Sequence, residues 1–148
     1  MPAVVRVVGL AISLVFVAVV VGSVFVPSEV RVERRVRVGR PPELVYALLE
    51  AQAASPRGDG VRRAVVARVP NERLRIELDY GGLGKAFETL TLEPREGSTE
   101  VVRIYEQALG RRPLRRWAGA RLPRLLGETF ERELAAIKTS AEGSPPHR

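Results

Sequence analysis

With 148 residues, 45% of them hydrophobic, and a formal net charge of +7, the chain is sized for one ordinary domain with material to spare. It has no cysteine and a single histidine, His147, set in a Ser-Pro-Pro tail. That composition removes disulfides, thiol chemistry and Cys-based zinc sites, and leaves no placed histidine for a triad, a metal cluster or a general base, so no cofactor is expected.

From Val7 to Val26 the chain carries no charge and is interrupted only by Gly9, Ser13, Gly22 and Ser23. A bilayer core needs roughly 20 such residues as helix. A cleaved signal peptide competes with this reading, but its n-region holds Arg6 alone and no clear small-x-small cleavage site stands before Pro27. A buried core helix is unsuited, because the remaining chain is too short to surround one. Residues 1–28 are therefore expected to form a single-pass membrane anchor. Arg31, Arg34, Arg35, Arg37 and Arg40 outnumber Arg6 and favour a cytoplasmic domain by the positive-inside rule. The same arginines are also explained by a strand, which leaves the opposite orientation open.

Val30, Val32, Val36 and Val38 alternate with Arg31, Glu33, Arg35 and Arg37, the period of a strand with one face buried; Arg34 alone breaks the inner row. Pro41-Pro42-Glu43 then opens a helix, where proline lacks a donor that the first turn leaves unpaired and the carboxylate meets the positive helix end. Ala51 to Gly60 is small and polar and is expected to be a loop. Strands follow at Val61 to Val69 and Arg73 to Tyr80 around a Pro70-Asn71-Glu72 turn, then at Lys85 to Glu93 and Thr99 to Gln107 around Pro94 to Ser98, an antiparallel meander. Gly81 to Gly84 is a turn rather than a phosphate loop, since it precedes a strand and lacks the following helix and Lys-Ser/Thr.

Arg111 to Glu142 is expected to be helical with a kink or restart at Pro123. Leu122, Leu125, Leu126, Phe130, Leu134 and Ile137 form its apolar stripe. Arg115, Arg116, Trp117 and Arg121 form a basic, aromatic patch that either lies on an anionic lipid surface or covers the sheet edge with arginine stems. The last residues, 141–148, are expected to be a disordered tail.

The strand running into "RPPELVYALLE", the strand "ERLRIELDYGG", the hairpin "LTLEPREGSTEVV" and the closing helix "LLGETFERELAAIK" together resemble the START-like, helix-grip superfamily of polyketide cyclase/dehydrase and lipid-transport proteins. The resemblance covers about Val30 to Lys138. It implies an α+β fold over residues 29–140, a sheet of about five strands with a long C-terminal helix across it. One departure is notable: relatives carry a second short helix with a Trp-rich motif and two further strands, where this chain has a small polar loop. A shortened sheet encloses less volume.

The resemblance implies binding of a hydrophobic small molecule or lipid, with Leu74, Ile76, Leu78, Leu126 and Phe130 as walls and Tyr80 and Tyr105 near them. Glu88 and Arg103 meet inside if Ala86, Glu88, Leu90 and Leu92 face inward; if Phe87 with Thr89 and Val102 with Ile104 are the buried rows, they do not. No nucleophile, base and orienter set emerges. The chosen reading is a membrane-anchored, non-catalytic carrier; the alternatives are a membrane-tethered interaction module with a filled core and, after it, a cyclase-like enzyme. Basic residues without interleaved exposed aromatics argue against nucleic acid as partner, and an open sheet edge would suit a second copy of the chain.

Overall fold

The computed structural model describes residues 2–55, 58–110, 116–117 and 119–143. Helix α1 (Pro2–Val24) leads into strand β1 (Glu29–Val38) and helix α2 (Pro42–Ala54). Strands β2 (Arg62–Val69), β3 (Arg73–Asp79), β4 (Lys85–Arg95) and β5 (Ser98–Ala108) follow, and helix α3 (Leu122–Gly143) closes the domain. The five strands form one antiparallel sheet in the order β1-β5-β4-β3-β2, so the first strand pairs with the last.

Period-two alternation selects the inner face. Val32, Tyr105, Glu88 and Ile76 stand side by side across four strands, and Arg34, Arg103, Leu90 and Leu74 form the next row. Helix α3 lies chiefly against β1 and buries Phe130, Leu134, Ile137 and Ala141, which recur at helical steps. Helix α2 buries Val45, Tyr46 and Leu49 over the same face. The two helices thus share one side of the sheet, with the core between.

The far end of α3 is tied to the β1–α2 corner. Arg40 donates from Nε to the Ala141 carbonyl at 3.0 Å and from Nη2 to the Glu142 carbonyl at 3.1 Å, placing a cation on carbonyls that the helix end leaves open. The Gly39 N–H donates to Glu142 Oε1 at 2.9 Å, and Thr99 Oγ1 donates to the Arg40 carbonyl at 2.7 Å. The opposite sheet face carries exposed pairs such as Lys85 with Glu77 and Arg35 with Glu33, and Arg75 lies over the Phe87 ring. Pairs this exposed add little stability.

Several local expectations are corrected. The loop expected over Ala51 to Gly60 begins only after Ala54, because Ala51-Gln52-Ala53-Ala54 are good helix formers and no breaker precedes Ser55. The β4–β5 turn is tighter than Pro94 to Ser98: Arg95 pairs with Ser98, leaving Glu96 and Gly97, with φ of 62° at the glycine, to reverse the chain. At Pro123 the restart, of the two alternatives expected, is what the structure shows, with a turn at Ala120 and Arg121 before it. The proline occupies the first turn of α3, where its missing N–H has no partner to lose. Arg111 to Arg115 lie outside the described residues. At the other end α3 runs to Gly143 with Ala141 buried, so the start of the expected tail is helical.

Helix α1 is apolar and exposed throughout its described side chains, apart from a partly covered end. Its Val5–Gly22 stretch is long and apolar enough to cross a membrane, a property that an N-terminal signal sequence shares.

Candidate functional site

The register sets Arg34 of β1 directly opposite Arg103 of β5 on the inner face. Two like charges facing each other destabilise a strand pair, so the arrangement requires anions nearby. Three carboxylates supply them. Glu131 of α3 lies 2.8 Å from Arg34 Nε, Glu133 of α3 lies 2.5 Å from Arg103 Nη1, and Glu88 of β4 lies 2.7 Å from Arg103 Nε.

Arg103 is only 4% exposed and Glu88 only 8%. Charges this deep persist only when paired, since desolvation costs each several kcal/mol. The Arg103 Nε–H is not directed at the Glu88 oxygen that it nearly touches, so that contact is an ion pair without a hydrogen bond. The guanidinium also lies 3.9 Å from the Phe130 ring centroid, a favourable face for a cation. Gly127 adjoins the same cluster: a Cβ there would meet the Arg34 guanidinium, which would have to shift to admit a side chain.

Beside this cluster Tyr105 is buried, donating to Gln107 Oε1 at 3.0 Å and lying 3.5 Å from the Tyr80 hydroxyl. Burial pushes its phenol well above the usual tyrosine range. Arg63 approaches Glu88 from β2; a hydrogen bond with Asp59 raises the guanidinium further and holds the Asp59 carboxyl well below the usual carboxylate range.

Between α2, α3 and the sheet a cleft of about 30 Å³ remains, lined by Leu49, Arg63, Ile76, Glu88, Arg103 and Ile137 among others. Space of that size suits one or two waters, whereas ligand pockets run to roughly 300–1,000 Å³. A larger depression of about 330 Å³ lies on the opposite sheet face, around Arg31, Lys85, Phe87 and Glu106. Of its charges, Arg31 pairs with Glu106 and Lys85 with Glu77. No group of three or more metal-ligating side chains occurs among the described residues.

Of the residues named as cavity walls, Leu74, Ile76, Leu78 and Phe130 are buried in the core and Leu126 packs partly against it, as does Tyr80. Glu88 and Arg103 do face inward and meet. Leu125, expected in the apolar stripe, is 61% exposed, because α3 turns it away from the sheet. Of the basic patch, Arg115 lies outside the described residues; Arg116 donates to the Gly110 carbonyl at 3.2 Å, and Trp117 reaches α1. Arg121 is exposed. Sequence reasoning missed Glu131, Glu133 and Arg63. The signal for two of them was available: Arg34 interrupts the inner row of β1, and acids on α3 near Phe130 were the groups able to answer it.

Neither a scan against protein-family models nor a search of curated proteins finds a match. Solved structures do match. CalU16 from Micromonospora echinospora is 16% identical with a TM-score of 0.58, over 80% of this chain and 85% of that one. The Aha1 dimer from Colwellia psychrerythraea is 14% identical with a TM-score of 0.59, over 76% of this chain and 96% of that one. The di-domain aromatase/cyclase StfQ of the steffimycin biosynthetic pathway is 15% identical with a TM-score of 0.60, over 78% of this chain and 51% of that one. These likenesses show the fold alone, the five-stranded antiparallel sheet with a long C-terminal helix across it that the sequence resemblance implies.

Proposed function

We propose that this chain is a membrane-anchored, non-catalytic helix-grip domain that works as an interaction module with a closed interior. The observation that carries this reading is the cleft of about 30 Å³ where a carrier would hold its ligand. The Arg103, Glu88 and Glu133 side chains occupy the space between sheet and helix, where the guanidinium forms ion pairs with both carboxylates. In this reading α1 spans the bilayer once, and the arginines after it hold the domain on the cytoplasmic side.

A second reading, a carrier of a hydrophobic small molecule or lipid, is favoured by the fold and by the apolar part of the cleft wall, Leu49, Leu90 and Ile137. It requires α2 and α3 to part and Arg103 to leave Glu133. Because charged groups line the cleft, a cyclase-like activity ranks below both; catalysis would need a placed acid or base free of its ion pair. The Aha1 relative is described as a dimer, and pairing of two copies at a sheet edge is compatible with either reading. The β2 edge is the less suited one, since its register shifts between Val65 and Ala67, a bulge that protects an edge.

The test is native mass spectrometry of the full chain purified in mild detergent, together with displacement of a fluorescent fatty acid. A closed interior predicts no stoichiometric species of defined mass and no saturable probe binding. One co-purified lipid or isoprenoid at one copy per chain would overturn it in favour of the carrier.

A further inference from the structure

Trp117, the only tryptophan in the chain, is folded back onto the end of α1. Its Nε1–H donates to the Val19 carbonyl at 3.4 Å. A Cβ at Gly22 would lie 2.9 Å from its Cζ2, so the ring packs where α1 has no side chain. The turn that carries Trp117 is fixed to the sheet in its own right: Leu109 fills the space beside Gly119, and the Leu109 N–H donates to the Ser28 carbonyl at 2.8 Å. The domain is therefore joined to α1 by the Trp117 side chain besides the chain itself.

The position along α1 has chemical meaning. Val19 and Gly22 lie one to two turns before the end of the uncharged run Val7–Val26, close to where a spanning helix leaves the hydrocarbon for the headgroups. Tryptophan favours that layer, its ring in the apolar part and its N–H near polar groups. Phe25, three residues beyond, is 85% exposed, Trp117 is 46% exposed, and Arg121 follows one turn later.

We infer that Trp117 clamps the domain onto the bilayer surface, so that Phe25, Trp117 and Arg121 form a lipid-docking face that takes anionic phospholipid headgroups. The inference rests on α1 spanning the membrane. It deepens that reading by naming the face turned to the lipid and the lipid that it prefers. The apolar members enter the interfacial layer, and the arginine supplies the charge preference within a Debye length of the surface.

A single tryptophan makes the test direct. The full chain is reconstituted into phosphatidylcholine vesicles with and without phosphatidylglycerol, and association is checked by resistance to alkaline carbonate. The expected result is blue-shifted emission, quenching by lipids labelled near the headgroup, and several-fold weaker iodide quenching than for tryptophan in water. Gly22→Leu should displace the ring, shifting emission to the red and restoring iodide access, while the chain stays carbonate-resistant. Arg121→Glu should remove the extra headgroup quenching seen with phosphatidylglycerol. Water-like emission with full iodide access in a carbonate-resistant wild-type chain overturns the clamp and leaves the anchor standing. Release by carbonate overturns the anchor and the clamp together. Equal quenching in neutral and anionic vesicles overturns the headgroup preference.

Discussion

Arg103 concentrates more of this domain's chemistry than any other described side chain: one guanidinium meets Glu88, Glu133 and the Phe130 ring. Truncating one partner of such a pair costs far more than replacing both, because a lone buried charge keeps its desolvation penalty. Arg103→Ala is therefore expected to lower unfolding stability by about 3–5 kcal/mol, since Glu88 stays buried without its cation. The double variant Arg103→Met, Glu88→Leu should recover most of that loss or exceed wild type. Urea unfolding of the full chain in detergent, followed by circular dichroism, measures both. A double variant as unstable as the single one would show that the pair is needed for the fold itself rather than for its charge balance.

At the scale of the element, α3 shows how one helix serves two environments. Leu134 is almost wholly buried against the sheet, whereas Leu125 points to solvent nine residues earlier. Leu134→Ala should cost about 2–5 kcal/mol, the range for a leucine removed from a packed core. Leu125→Ala should stay within about 0.5 kcal/mol, as surface changes do. Thermal unfolding of the two variants checks the contrast, and equal losses would mean that Leu125 is covered, for instance by lipid. The helix period was legible in the sequence, but the width of its buried face was not. Leu122, Leu125 and Leu126 all fit the period, and only the crossing of α3 over β1 decides which of them turns inward. Pro123 is similar: as residue type it forbids a helix interior, and the turn before it decides whether it kinks a helix or starts one.

For the whole molecule, the ionisable groups define a pH window. Asp59 is held low mainly by its Arg63 hydrogen bond, Asp79 mainly by the Gly81 N–H, and Glu100 mainly by Arg95. Each carboxyl is depressed in the folded state, so its contribution is present above the unfolded value of about 4 and is lost as pH falls below it. Tyr105 is shifted the other way, raised mainly by burial, and Lys85 is raised mainly by its Glu77 hydrogen bond. Their contributions are complete below the unfolded values of about 10 and are lost as pH rises past them. The thermal midpoint should thus be flat between about pH 4 and 10 and fall on both sides. Tyr105→Phe should shallow the alkaline limb, which a series of melting curves reads directly; an unchanged limb would place the phenol in contact with water.

What the chain by itself determined was the order of the strands and the apolar faces of β1 and β3, while the faces of β4 and β5 stayed open. Alternation in Val30 to Val38 and Leu74 to Leu78 fixes which side of each strand is apolar, because side chains point to opposite faces at period two. Composition likewise limited the chemistry, since the single histidine and the absence of cysteine are readable without any structure. Only the tertiary structure decided that Arg34 and Arg103 stand opposite each other, that α3 brings Glu131 and Glu133 to them, and that the cleft lined by Leu49, Glu88, Arg103 and Ile137 holds about 30 Å³. Register between distant strands and the crossing of a helix depend on how all the faces pack at once. No local pattern records that sum.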